Sequence, residues 1–462
     1  MSMAAPGISS GLAEIVGPAN VVTDPTQLAA YGIGACAPKI AVRPGTNQEV
    51  AEIVRLAVAE KLALVPVGAR TKLCMNIPPR RYDLALDMTR LDRIVAYDPD
   101  DLTLSVEPGI SLRKLADVLA EHGQFIPLAV PFLRNATVGG TIASGADSPL
   151  RHSYGTARDY TLGMEFVTGD GQIVKSGGRV VKNVSGYDLH KLMIGSLGSL
   201  GVLTKINLRT FPAPRELRGL VAYFDSAQSA VELRQSIAKS PLKPLTLEIL
   251  SPLAAESLSC DRAEQIEPGQ LRAYALASGR WTILASFCGA EEVLKRYERG
   301  LREVAGTADS VSLGKSAAAV ALGRVREFIP IALESSPAAV VVKASVLPAR
   351  IGELLGDAES IAAESGVRSA AIARGVGLIY FALLPESRQD ENRSRAARAV
   401  SRLRDACIRR TGNFAIACCP AEWRGSLSKL QTSGAELELM RKLKSVFDPS
   451  GVFASNPLAS DT

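Results

Sequence analysis

At 462 residues the chain is too long for a single hydrophobic core and calls for about two to four folding units. Apolar residues make up 47% and charged residues 22%, with 39 glycines and 26 prolines, a profile that excludes a disordered polypeptide. The net charge of +6 is a small excess of 53 basic over 47 acidic residues with both signs interspersed, which argues against a nucleic-acid partner.

Between 40 and 214 short apolar segments alternate with Gly and Pro turns. The pattern predicts strands over 62–66, 84–87, 94–97, 102–107, 162–168, 173–176 and 202–209, with amphipathic helices over 47–61 and 111–122. Prolines and charged residues at 212–217 mark a linker. Beyond it come strands over 220–224, 245–250, 282–287, 339–345 and 378–384, with helices over 227–238, 290–305, 349–364 and 435–447. Strand–helix–strand units of this length predict one or two ferredoxin-like layers covering the first domain. The basic stretch 388–410 also carries Asp390, Glu391 and Asp405 and places Ala396, Ala397, Val400 and Leu403 at helical spacing, so it reads as a solvated helix face.

No N-terminal segment looks like a secretory signal and no apolar run reaches the roughly 18 residues needed to span a bilayer, so the expected compartment is the cytoplasm. Seven scattered cysteines (Cys36, Cys74, Cys260, Cys288, Cys407, Cys418, Cys419) form no Cys-x-x-Cys pair for zinc or an iron–sulfur cluster; they read as reduced, mostly buried thiols. Cys418 and Cys419, adjacent on a strand, face opposite ways.

Two small-residue turns carry the chemistry. Pro66-Val67-Gly68-Ala69-Arg70-Thr71-Lys72 follows an apolar strand, where successive N–H groups make an anion nest and small side chains admit a pyrophosphate. Asn135 to Gly145 contains Thr137, Val138, Gly139, Gly140 and Ser144, offering hydroxyls and unhindered amides. Tyr154-Gly155-Thr156-Ala157-Arg158-Asp159 precedes one strand, and Gly195-Ser196-Leu197-Gly198-Ser199-Leu200-Gly201-Val202 precedes another. The last run is not G-x-G-x-x-G before a helix, which excludes a nicotinamide site of the Rossmann kind.

Taken in order, these four segments resemble the FAD-binding domain of the vanillyl-alcohol oxidase and p-cresol methylhydroxylase superfamily. Val106-Glu107-Pro108-Gly109 fits as well, and Phe447-Asp448-Pro449-Ser450-Gly451 resembles the superfamily's closing Phe-Asp-Pro-x-Gly segment. The resemblance implies an α+β protein in three parts. These are an FAD-binding domain of the p-cresol methylhydroxylase type over 1–214, a ferredoxin-like cap over 215–435, and a C-terminal helix and tail over 436–462 returning to the first domain. It implies that Val67, Gly68, Ala69, Arg70, Thr71 and Lys72, with Thr137, Val138, Gly139 and Gly140, embrace the pyrophosphate, and that Pro108 and Ser144 also bind the cofactor. Tyr154, Gly155 and Asp159 would line the ribityl and flavin region, and Gly201 and Val202 the adenine side. Covalently flavinylated members carry a His in the first turn or a Cys in the second; neither is present, which implies a non-covalent flavin.

Lys182-Asn183-Val184-Ser185-Gly186-Tyr187-Asp188-Leu189 is similar to the glycolate oxidase branch, and specifically to its smaller FAD-binding subunit, the E subunit; Leu197 stands where catalytic D-type subunits tend to carry Glu. Catalytic relatives also carry His-Ala-Gly-x-Gly-Asn-x-His in the cap and a later Glu-His-Gly. Here Ala373 and Tyr380 stand at the two histidine positions of the first motif, and Trp423 at that of the second. The three histidines, His122, His152 and His190, all precede the cap. His122 reads as a helix cap and His190 as structural, while His152 lies in the flavin segment. Arg374 and Tyr380 are either a degenerate substrate site or ordinary strand residues.

The expected function is therefore an FAD subunit of a glycolate-oxidase-like, 2-hydroxy-acid-oxidising complex. It would act with a catalytic D-type flavoprotein subunit and an iron–sulfur subunit, without a metal of its own, and the complex would sit in the cytoplasm or peripherally at the inner face of the membrane. Two alternatives stay open: a self-sufficient 2-hydroxy acid dehydrogenase that uses Arg374, Tyr380 or Arg424, and a non-enzymatic flavin scaffold.

Overall fold

The computed structural model describes residues 6–75, 78–179, 186–259, 279–428 and 435–454. The Lys182–Ser185 half of the glycolate-oxidase-like motif, Cys260 and the polar tail lie outside them.

Two sheets build the first half. β1 (Val21–Val22), β2 (Ile40–Val42), β3 (Leu64–Val67) and β4 (Leu84–Asp87) are ordered β1-β2-β4-β3, with β4 parallel to both neighbours. All four β4 residues are buried, as expected of a parallel strand covered on both faces. The helix Asn47–Ala59 crosses from β2 to β3, starting where the Thr46 side chain accepts from Glu49 N, and buries Val50, Ile53, Val54 and Ala57. The second sheet contains β5 (Ile94–Asp98), β6 (Thr103–Val106), β8 (Thr161–Val167), β9 (Ile173–Gly177) and β10 (Val202–Arg209), ordered β5-β6-β10-β8-β9 and antiparallel throughout. A short ribbon of β7 (Gln124–Phe125) and β11 (Phe211–Pro212) flanks it.

The second half forms one antiparallel sheet of eight strands: β12 (Leu217–Phe224), β13 (Thr246–Leu250), β14 (Trp281–Cys288), β15 (Asp309–Leu313), β16 (Val340–Ser345), β17 (Arg368–Arg374), β18 (Leu378–Leu384) and β19 (Asn413–Cys418). Their order, β15-β12-β14-β13-β17-β18-β16-β19, resolves into two consecutive βαββαβ units, each with its fourth strand beside its first and its third between first and second. The units join edge to edge where β13 pairs β17 antiparallel through Glu248↔Arg374, Ile249↔Ala373 and Leu250↔Ile372. The α+β class and the ferredoxin-like cap expected from the sequence are both present.

Alternation along these strands sorts the cap residues onto two faces. One face packs on the helices Ala227–Lys239, Glu291–Ala305, Ile351–Ser365 and Asp390–Ile408. The other is partly covered by Pro252–Leu258, Lys315–Arg326 and Phe328–Ser335, and turns towards the first half. The basic stretch is a solvated helix as read, burying Ala396, Ala399, Val400 and Leu403 while its arginines pair on the surface. Strands β15 and β17 and the two helices over 315–335 were not foreseen. The helix Lys315–Arg326 buries mostly alanines, which leave a weak amphipathic signal.

Candidate active site

Strand β3 delivers Pro66 and Val67 to the mouth of a cleft with about 720 Å³ of empty space, its open side included. Gly68, Ala69, Arg70, Thr71 and Lys72 form one wall, and Pro108, Thr137, Gly139, Gly140 and Ser144 another. Gly201 and Val202 complete it, together with Leu197 and Gly198. The turn is built for an anion. Arg70 adopts φ +64°, the left-handed conformation that converges neighbouring amides, and its guanidinium is held aside over the Tyr31 ring at 4.6 Å. Among the described residues no protein acceptor takes the N–H groups of Ala69, Arg70 or Thr71.

Packing is tight both between the walls and within the second. A Cβ on Gly68 would lie 2.3 Å from Thr137 Oγ1, and one on Gly139 would lie 2.4 Å from Pro108 Cβ. Thr137 caps the helix Val138–Ser144, its hydroxyl accepting from Gly140 N. Lys72 is 8% exposed, and among the described residues its ammonium has no carboxylate partner within hydrogen-bond distance, only Thr71 Oγ1 at 3.4 Å. Burial pulls its pKa down to about 8. A desolvated ammonium beside free amides is a site short of negative charge, which a dinucleotide diphosphate would supply.

On the cap, Glu248, Arg374, Tyr380 and Lys343 lie on the face turned to the first half, around Asp147. Arg374 is 3% exposed and donates to Glu248 at 2.7 Å and to Asp147 at 3.0 Å. Asp147 also accepts from Arg151 at 2.8 Å. Burial pushes the Glu248 carboxyl up to about 7 despite Arg374, and one of its oxygens has no hydrogen-bond partner. Burial likewise raises Tyr380 and lowers Lys343, whose side chain makes no hydrogen bond or ion pair among the described residues. Lys343 stands opposite Tyr380 in the β16–β18 register. Sequence reading missed Lys343 and Glu248; each is a charged residue inside an apolar strand, which was the available signal.

The FAD binding domain family matches residues 38–177, and the C-terminal domain of FAD linked oxidases matches residues 213–415. The first half thus matches an FAD-binding domain and the second half an FAD-linked oxidase C-terminal domain. Its cofactor is FAD, and the cleft residues fit that group. Over 90% of its length it is 24% identical to the glycolate oxidase subunit GlcD of Bacillus subtilis, covering 87% of that protein. It is 36% identical to the glycolate oxidase subunit GlcE of Escherichia coli over 44% of this chain and 56% of that one. In structure it matches p-cresol methylhydroxylase with substrate bound at a TM-score of 0.76 and 17% identity, over 98% of this chain and 96% of that one, which shows a shared fold.

Within the FAD-binding domain, four of the residues singled out from sequence stand off the cleft. Val138 is buried in the core behind it. Tyr154 packs edge-on against Phe125 and Phe211. Gly155 and Asp159 belong to a local cap, in which Asp159 accepts from Thr156 N and Oγ1. His122 caps the helix Leu112–Glu121, and His190 contacts Ser176 Oγ through Nδ1 at 3.1 Å. His152 is depressed in pKa by burial and lines no part of the cleft. Arg424 donates to Met75 O at 2.7 Å.

The closing segment returns to the FAD-binding domain. Asp448, 3% exposed, accepts from Val452 N and Phe453 N and pairs with Lys444. Leu64 N then donates to Val452 O and Ala454 N to Leu64 O, so this segment borders β3 just ahead of the turn 68–72.

Among the described residues no group of three His, Cys, Asp or Glu side chains is placed to hold a metal ion, and no helix is long and apolar enough to cross a membrane. Of the six described cysteines only Cys407 and Cys418 are buried, against the expectation of mostly buried thiols.

Proposed function

We propose that this chain is an FAD-dependent oxidoreductase of the 2-hydroxy-acid-oxidising type, serving as the FAD-bearing subunit of a glycolate-oxidase-like complex. The division 1–214, 215–435 and 436–462 is part of that reading. The cofactor supplies the hydride acceptor. The chain's own residues hold it: the turn 68–72 and the Thr137–Gly140 segment receive the diphosphate, and Lys72 neutralises it. No His or Cys lines the cleft, which supports non-covalent attachment.

One observation carries the subunit reading. Oxidising a hydroxy acid needs a base for the hydroxyl proton and a free cation for the carboxylate. On the cap face the Arg374 guanidinium is already claimed by Glu248 and Asp147, and no histidine is present. A catalytic flavoprotein partner and an iron–sulfur partner would supply the missing steps. Lys343 favours a second reading, in which the chain handles substrate itself: its unpaired ammonium would hold the carboxylate, and Glu248, titrating near neutrality, would take the proton.

Anaerobic addition of glycolate or D-lactate to the purified, FAD-loaded chain separates the two. A flavin that stays oxidised alone but is reduced within the complex recovered from native extract supports the subunit reading. Bleaching of the isolated chain, abolished by Lys343→Met, overturns it in favour of the second.

A further inference from the structure

The two domains meet at a pair of thiols that the flavin chemistry leaves unused. Cys74 sits in the turn Leu73–Met75 just after the diphosphate turn, and Cys418 is the last residue of β19. They are 344 positions apart in sequence, yet their Sγ atoms are 3.2 Å apart. Cys74 is exposed and lines, with Cys36 and Cys419, a cleft with about 1450 Å³ of empty space, its open side included, through which a small solute reaches it. Cys418 is buried behind it. The pair is electrostatically asymmetric. The contact with Cys418, the Arg424 guanidinium and the Lys72 ammonium hold the Cys74 thiol below its ordinary range. The same contact and burial push Cys418 well above it. A thiol that solvent can reach and that is biased towards its thiolate, in contact with one biased towards its protonated form, is the arrangement of an attacking and a resolving cysteine.

We propose that Cys74 and Cys418 are a redox site at which a hydroperoxide forms a reversible disulfide, tying the oxidase C-terminal domain to the FAD-binding domain. The Cys74 thiolate attacks a peroxide oxygen; the O–O bond breaks, the peroxide takes two electrons and leaves as alcohol or water, and Cys74 becomes a sulfenic acid. The Cys418 sulfur, giving up its proton, then attacks Cys74; the S–S bond forms, the S–O bond breaks and water leaves. A dithiol returns two electrons and two protons and restores both thiols. Because Cys74 is two residues from Lys72, the bond also restrains the diphosphate turn, and FAD leaves the oxidised protein more slowly.

The test treats the full FAD-loaded chain with hydrogen peroxide, blocks remaining thiols with N-ethylmaleimide and maps tryptic peptides. The expected result is loss of two of the seven thiols and a peptide 73–80 joined to 411–424, lighter by two hydrogens and released by dithiothreitol. Cys74→Ser and Cys418→Ser each abolish it, whereas Cys419→Ser keeps it. Unchanged thiols, over-oxidised Cys74 without a cross-link, or a bond to Cys36 or Cys419 would each overturn the proposal. If a Ser variant fails to retain flavin, the wild-type map and Cys419→Ser decide alone.

Discussion

Arg374 of the oxidase C-terminal domain and Asp147 of the FAD-binding domain, 227 positions apart in sequence, meet at 3.0 Å with both side chains almost fully buried. Glu248 completes the triad on the other side of the guanidinium. Removing the shared cation leaves two buried carboxylates, only one of which has a second arginine. Arg374→Met is therefore expected to destabilise the protein by about 3–5 kcal/mol. Glu248→Gln should cost less, because burial already holds that carboxyl near neutrality. Thermal melts of the two variants check the ranking; an equal loss would contradict it.

Lys72 gives the cleft a pH dependence. Its ammonium is held at about 8 in the folded chain against an ordinary 10.5. Between those values the unfolded chain binds more protons, so the FAD-free protein gains stability as pH rises through that window. FAD binding runs the other way. A diphosphate favours the charged amine, so affinity is flat below about pH 8 and falls above it, with up to one proton taken up on binding. Lys72→Met should weaken FAD binding on the order of 10- to 150-fold, the worth of a charge-assisted hydrogen bond, and remove the slope. Flavin fluorescence titrations from pH 6 to 10 read both effects.

The close approach of the two turns predicts a steric result. Gly139→Ala forces a methyl group onto Pro108, against both its Cβ and its carbonyl oxygen 2.9 Å away, where no flexible side chain can yield. The Gly68→Ala methyl instead meets the Thr137 hydroxyl that caps the next helix. Both variants should purify with less flavin per chain. Thr137→Ala, which merely loses the cap at about 0.5–2 kcal/mol, should lower thermal stability while partly relieving Gly68→Ala in the double variant. Failure of that relief would show that the contact does not limit the cleft.

Asp448 offers a test remote from the cofactor. It accepts two backbone N–H groups and pairs with Lys444, whose ammonium also donates to Ser199 O and Phe453 O. Asp448→Ala leaves the half-buried Lys444 ammonium without its carboxylate and two buried N–H groups without an acceptor, and should cost about 1–3 kcal/mol. It should also speed FAD release, because the segment it ties down borders β3. Stopped-flow release that matches wild type would separate the closing segment from the cleft.

Much of this was legible in the sequence. Strands β4, β10 and β18 fall where alternation and turn residues put them, and small-residue turns name most of the cleft, because a backbone nest needs glycines and those are visible in one dimension. Long-range pairing was not legible. Nothing near Arg374 announces Asp147, so a candidate substrate cation emerges as an ion-triad member; Tyr154 likewise packs on Phe125 and Phe211 of the distant β7–β11 ribbon, while Asp159 satisfies its own turn. The cysteines read as scattered because contact between Cys74 and Cys418 depends on how two domains dock.

The hydrogen bonds between Leu64 and residues 452–454 have a consequence for biosynthesis. On the ribosome, the turn 68–72 emerges nearly four hundred residues before the segment that flanks its root. The root of that turn therefore stays without this bracing until residues 452–454 have left the exit tunnel.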